Sequence, residues 1–167
     1  LKTTALKKGN SHYLLNGSKS FISGGPTSDV FAVMCRTGGE GANGVSCLLV
    51  EKGTKGLSFG KQEKKMGWNS QHTSTVNFDN CEIPIDNIVG NEGDGFKIAM
   101  KGLDGGRINI AACSLGGARA ALEASIMYSA ERKQFGKSID QFQVTQFKLA
   151  DMATELEASR LMVFRAA

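Results

Sequence analysis

The chain has 167 residues, 41% of them hydrophobic and 22% charged, with two prolines and a net charge of +4. This composition excludes a disordered or collagen-like polypeptide, and no apolar run reaches the length that a membrane-spanning helix needs. The four cysteines, at positions 35, 47, 81 and 113, show no CxxC spacing and lie far in sequence from His12 and His72, which argues against a zinc site and for buried, reduced thiols in a reducing, intracellular compartment. The mild positive charge suits an anionic ligand such as a nucleotide, while Lys61, Lys64 and Lys65 around Glu63 read as a solvated face. The chain opens at Leu1-Lys2-Thr3-Thr4 without an initiator methionine and stops inside a helical pattern at Arg165-Ala166-Ala167, so it is expected to be a piece of a longer protein.

Residues 1–90 carry short apolar runs between turn residues, the pattern of β-strands. Tyr13-Leu14-Leu15, Asn16-Gly17 and residues 18–23 read as a hairpin, because Asn-Gly readily takes the positive φ angles of a tight turn. Residues 30–35 form a second run, apolar throughout and therefore expected to be covered on both faces. Residues 45–50 form a third run. A fourth, residues 73–78, sets Thr75 and Asn77 against Val76 and Phe78; Asp79-Asn80 is expected to turn the chain and Pro84 to end the pattern. Strands with no helices between them imply an antiparallel sheet or small sandwich.

From residue 91 the period changes to that of a helix. Asp94 is a candidate N-cap ahead of Phe96, Ala99, Met100, Leu103, Ile110, Ser114, Ala118 and Leu122. A second stripe of Ile108, Leu115 and Ile126 predicts burial around most of the circumference. Gly105-Gly106 costs about 1 kcal/mol per residue against alanine, yet the apolar phase is unbroken across it, which predicts one long helix. Arg132 to Ser138 reads as a linker. A second helix is expected from about Ile139 to the end, with Leu149, Met152, Ala153, Leu156 and Val163 inward.

One motif is a decoy. Gly39-Glu40-Gly41-Ala42-Asn43-Gly44 matches GxGxxG literally, but a strand follows it where a dinucleotide site needs a helix N-terminus. It reads as a loop. Trp68, in Lys65-Met66-Gly67-Trp68-Asn69-Ser70, reads as a packing residue.

Four segments together carry more information than any one: Gly17-Ser18-Lys19-Ser20-Phe21-Ile22-Ser23-Gly24, the Lys65 to Ser70 stretch, Leu103-Asp104-Gly105-Gly106-Arg107, and Arg132-Lys133-Gln134-Phe135-Gly136 through Phe142-Gln143 to Leu149-Ala150-Asp151-Met152-Ala153. Over essentially its whole length the chain resembles acyl-CoA dehydrogenases, and within that family the isobutyryl-CoA group. The resemblance implies an α+β fold: a small antiparallel β-sandwich or barrel domain over residues 1–90, then, over residues 91–167, the first long antiparallel helices of a four-helix bundle. It also implies FAD. Phe21, Ile22 and Ser23 match the edge that faces the isoalloxazine ring, where many members carry tryptophan at the position of Phe21. Arg132, with its planar fork of donors, matches the residue that reaches the FAD pyrophosphate of a neighbouring subunit. Gln134, Phe135, Phe142 and Gln143 match further contacts to the same cofactor.

Asp104, Gly105, Gly106 and Arg107 match positions bordering the acyl-CoA pocket. Some members place a catalytic glutamate where this chain has Gly106, which cannot abstract a proton. The base is therefore expected downstream of Ala167, and no catalytic residue is assigned within the chain. The implied function is α,β-dehydrogenation of a short branched acyl-CoA, isobutyryl-CoA in valine breakdown. Electrons would pass to an electron-transfer flavoprotein in a homotetramer of the mitochondrial matrix, or of the cytoplasm in a prokaryote, with no nucleic-acid partner and no membrane insertion. The rival readings are a 2-methylbutyryl- or butyryl-CoA enzyme, an acyl-CoA oxidase, and a non-enzymatic β-plus-helix interaction module.

Overall fold

Alternating apolar residues in the first part of the chain fold into one six-stranded sheet. A computed structural model describes residues 1–167, which divide into two units, 1–101 and 102–167. In the first unit β1 (Thr4–Lys8), β2 (His12–Ser23), β3 (Val30–Arg36), β4 (Val45–Glu51), β5 (Leu57–Phe59) and β6 (Thr73–Pro84) lie in the order β4-β3-β1-β2-β6-β5. Every pairing is antiparallel except that of β1 with β3, which is parallel and touches only at Thr4 and Arg36. The sheet is therefore mixed at one point rather than wholly antiparallel. Tyr13, Leu15, Phe31, Val33, Leu48, Val50, Val76, Phe78 and Ile83 form the core. The expected alternation at 73–78 is seen: Val76 and Phe78 are buried, Thr75 and Asn77 less so.

Several expectations fail for identifiable reasons. Residues 12–23 are one strand, not a hairpin, and the turn lies earlier, at residues 9–11 between Lys8 and His12. Gly17 does take a positive φ, 133°, but as a bulge in the β2–β6 ladder. A Cβ there would lie 2.8 Å from the Thr3 Cα, so glycine is required by the close passage of another backbone. Asn16 and Asn80 face each other across the ladder: Asn16 Nδ2 donates to Asn80 Oδ1 at 3.2 Å, and the Asn80 backbone N–H donates to Asn16 Oδ1 at 2.9 Å. That pairing holds Asn80, at φ 50°, inside β6 where its composition suggested a chain reversal. β1 was not anticipated, because its sequence TALKK has only one buried residue, Ala5.

Burial is also one-sided. In β3 Phe31, Val33 and Cys35 point inward while Val30 and Ala32 are exposed, so the apolar run is not covered on both faces. Trp68 is 69% exposed and packs into no core. The Gly39–Gly44 segment is a loop ending in a 3-10 turn at Ala42–Gly44, followed directly by β4, as expected. Cys35, Cys47 and Cys81 are buried free thiols, whereas Cys113 is exposed.

The long helix is continuous. α1 runs Gly95–Glu131 through both glycine pairs. Asp94 sits just before it, and its carbonyl accepts the Ile98 N–H at 3.0 Å. Its carboxylate, however, accepts from the Asn91 backbone and side chain, not from the helix, and those bonds hold it below the usual carboxylate range. The anticipated burial around most of α1 is absent. Within the second unit Ile108, Leu115 and Leu122 recur every seven residues along one half-buried stripe, and Ile110 and Ile126 are exposed. α2 spans Gln143–Ala166, starting after a 3-10 turn at Ile139–Gln141, and Leu149, Leu156 and Val163 form its half-buried stripe. The two stripes line an open cleft of about 850 Å³ that includes Leu115, Leu122, Leu156 and Val163.

Gly17→Ala is expected to destabilise the sheet by on the order of 2 kcal/mol, since the new Cβ meets fixed backbone in a positive-φ conformation; a denaturant titration that shows no shift would contradict this geometry. Burial raises the Cys35 thiol to about 12 and also raises Cys47 and Cys81. At pH 8 only about one Cys35 in ten thousand is then a thiolate, so iodoacetamide should leave these three unlabelled in folded protein and label them in denaturant, as read by mass spectrometry.

Candidate functional site

In the first unit the site begins with a defect in a ladder. β2 and β6 pair Gly17 with Phe78, Ser18 with Asn77 and Lys19 with Val76, then resume at Ile22 with Ser74 and Ser23 with Thr73. The residues between, Ser20 and Phe21, are skipped, and Phe21 takes φ 57°, a conformation that costs a bulky residue on the order of 1 kcal/mol or more. The bulge turns the Phe21 ring out of the sheet, where it is 73% exposed, while Ile22 packs back on the core. Ser23 is exposed, and its hydroxyl makes no hydrogen bond within the protein. An aromatic face and a free hydroxyl thus lie along one strand edge, anchored from beneath by Ile22.

Lys19 and the backbone turn after Ser23 support this edge from the sheet side. Lys19 is half-buried and donates from Nζ to the Met34 carbonyl at 2.6 Å, tying β2 to β3. Burial lowers its pKa, an effect the neighbouring Cys35 partly opposes. After Ser23 the chain reverses: Gly24 N–H donates to His72 O at 2.6 Å, and Gly25 N–H to Ile22 O at 3.2 Å. Lys19, Ile22, Ser23 and Ser28, with Phe31 and Val33, line a hollow of about 360 Å³ beside the edge.

In the second unit the segment read as a linker is a small hairpin. β7 (Lys133–Gln134) pairs with β8 (Lys137–Ser138), and the two residues between them, Phe135 and Gly136, have φ 51° and 82°. Two consecutive positive φ angles in a two-residue loop are those of a type I′ turn. Gly136 was the available signal for it. Phe135 stands at the tip, 92% exposed, and its ring meets that of Phe142 edge-on at 6.4 Å. Lys137 Nζ lies 4.3 Å from the centre of the Phe142 ring, a cation–π contact that sequence reasoning missed. The Arg132 carbonyl accepts the Ile139 N–H at 2.9 Å, fixing the hairpin base, while the Arg132 guanidinium is in none of the chain's four ion pairs. Arg132, Gln134, Phe135, Phe142 and Gln143 therefore lie together around one hairpin and the start of α2.

Asp104, Gly105, Gly106 and Arg107 occupy consecutive positions on α1. Arg107 Nη1 donates to Asp104 Oδ1 at 2.6 Å, an exposed i,i+3 pair. A Cβ built on Gly105 or Gly106 meets nothing within 4 Å, so packing does not require either glycine and both leave the helix surface low.

Each unit, taken by itself, carries groups that suit one part of a flavin dinucleotide. A ring can lie on the Phe21–Ser23 edge with Ser23 free to hydrogen-bond it, and an unpaired guanidinium beside a backbone turn suits a pyrophosphate. No cluster of side chains suitable for a metal ion is present.

Comparison with known proteins identifies the family. The acyl-CoA dehydrogenase middle-domain profile matches residues 1–81, and the acyl-CoA dehydrogenase C-terminal-domain profile matches residues 93–167. The chain belongs to the acyl-CoA dehydrogenase family, whose members are FAD-dependent oxidoreductases. It is 58% identical, over all of its own length and 40% of the relative's, to mitochondrial isobutyryl-CoA dehydrogenase of Bos taurus. The structure of butyryl-CoA dehydrogenase from Megasphaera elsdenii superposes with a TM-score of 0.95 at 45% identity, covering 99% of this chain and 44% of that one. A chain in a structure of the electron transferring flavoprotein of Acidaminococcus fermentans gives a TM-score of 0.91 at 50% identity, covering 98% and 43%. The present chain thus spans about two fifths of the length of the relatives it matches.

Proposed function

We propose that the full-length protein removes two hydrogens across the α,β bond of a short branched acyl-CoA, isobutyryl-CoA giving methacrylyl-CoA. The observation that supports this most is the bulged Phe21–Ser23 edge, which exposes an aromatic ring and a free hydroxyl in a chain 58% identical to an isobutyryl-CoA dehydrogenase. Bound FAD would supply the hydride acceptor. In this reading Phe21 and Ile22 carry the ring and Ser23 donates toward it. Arg132 neutralises pyrophosphate charge with Gln134 and Phe135 beside it, while Phe142 and Gln143 border the adenosine half. Asp104 to Arg107 border the acyl-CoA, where the absent side chains of Gly105 and Gly106 leave room for thioester and acyl group.

Gly106 offers no carboxylate, and the family resemblance then implies that the base taking the α-proton comes from downstream of Ala167. In this reading Arg132 serves a cofactor held largely by another subunit, which makes the enzyme at least a dimer, and the family resemblance implies a tetramer. Electrons leave to an electron-transfer flavoprotein. The mitochondrial name of the Bos taurus relative supports a matrix location for a eukaryotic source, and an isobutyryl-CoA substrate would place the reaction in valine breakdown. The neighbouring structure of a butyryl-CoA dehydrogenase favours a second specificity, for straight short chains.

Full-length protein is expected to purify yellow and to bleach anaerobically on isobutyryl-CoA, with higher kcat/KM for it than for 2-methylbutyryl- or butyryl-CoA. A colourless protein that takes up no FAD would support the interaction-module reading instead. Arg132→Ala should weaken FAD retention by about 10- to 100-fold, the loss of one or two charge-assisted bonds, and leave the ratio of kcat/KM among the three thioesters within about twofold. Unchanged flavin content in dialysed mutant protein would remove Arg132 from the site.

A further inference from the structure

Ser74 is the one buried side chain whose polar atom has no hydrogen-bond partner, and it lies directly behind the proposed flavin edge. It pairs with Ile22 in the β2–β6 ladder, one step past the bulge that exposes Phe21. Its hydroxyl faces the reversal formed by Ile22, Ser23, Gly24 and Gly25: a Cβ on Gly25 would lie 2.7 Å from Ser74 Oγ and 3.2 Å from the Ile22 carbonyl oxygen. Both oxygens thus crowd the position a Gly25 side chain would occupy, and glycine is what lets the turn lie this close to Ser74. The Ile22 carbonyl accepts from Gly25 N–H at 3.2 Å, the long end of the N–H···O range, and this is the bond that the Ser74 hydroxyl can share when the turn moves. An interior hydroxyl without a partner is a net cost to the fold, and alanine at this position would remove that cost without changing the packing of the Cβ. Stability alone therefore gives no reason for serine at position 74.

We propose that Ser74 is a positioning residue for the flavin edge: its hydroxyl donates to the Ile22 carbonyl when a ring loads on Ile22 and Ser23 and draws the turn toward β6. The bond holds Ile22 and Ser23 at the height the ring needs, and Gly25 is the residue whose lack of a side chain allows the closure. Ser74 acts through Ile22 and touches neither cofactor nor substrate. The proposal rests on the FAD reading of the Phe21–Ser23 edge.

The test uses full-length protein, deflavinated and titrated with FAD, with the melting temperature of the apo form measured alongside. Ser74→Ala is expected to raise the FAD Kd about tenfold, the loss of one hydrogen bond, and to shift the visible circular dichroism of the bound flavin. The apo melting temperature should stay the same or rise. Gly25→Ala should weaken binding further, and Gly25→Ala/Ser74→Gly, which reopens the space, should recover part of the loss. Equal FAD affinity and equal flavin spectra in wild type and Ser74→Ala would overturn the proposal, as would a loss of affinity accompanied by a matching fall in apo stability. Wild-type protein that takes up no FAD would instead sink the cofactor reading, and this proposal with it.

Discussion

The antiparallel pairing of β2 with β6 is the constraint from which the first unit follows. Twelve-residue strands on both sides run the length of the sheet and carry Tyr13, Leu15, Val76, Phe78, Cys81 and Ile83 into one core. A ladder of that length has little freedom of register, because a slip by one residue would exchange the buried set for the polar set. The two irregularities in it are consequently fixed in place. One, at Gly17, lets the backbone at Thr3 cross closely; the other, after Lys19, turns Phe21 outward. The outward turn is strained and gains nothing in burial, so the rigid ladder around it must hold it.

The second unit repeats that logic on a smaller scale. Phe135 is also an exposed aromatic at positive φ, held at the tip of a two-residue hairpin by the base pairing of Lys133 with Ser138 and by the start of α2. Trp68 is the third such residue, on the loop before β6. Large aromatic rings held in a disfavoured backbone conformation and turned to solvent are what a surface awaiting a planar ligand or another protein surface requires. α1 and α2 show the same incompleteness: each has one half-buried stripe, and apolar residues such as Ile110, Ile126 and Phe147 remain uncovered.

Much of this was legible in the sequence where period and burial coincide. The alternation at 73–78 identified β6, and the unbroken apolar phase across Gly105-Gly106 identified one long α1 in spite of helix propensity. Two of the four family segments named the candidate cofactor residues, and the structure places these in two local groups. What failed did so where two structures share one local signal. Asn16-Gly17 has the composition of a turn, but a glycine bulge under a crossing strand asks for the same residue, and only the partner Asn80 and the approach of Thr3 decide between them. The run at 30–35 reads as covered on both faces because Val30 and Ala32 are apolar, and nothing local reveals that they face outward. Ser74 could not be singled out at all, since a serine in an alternating strand is ordinary until its hydroxyl is found buried and unpaired.

The claim that joins these observations is that the bulge after Lys19 exists to present Phe21, Ile22 and Ser23 to an isoalloxazine ring. A crystal structure of the full-length oligomer loaded with FAD tests it most directly. The account predicts the ring system in van der Waals contact with Phe21 and Ile22, the Ser23 hydroxyl within hydrogen-bonding distance of it, and the bulge unchanged. A flavin bound elsewhere, with Phe21 packed into protein and the β2–β6 pairing restored to regular register, would contradict it.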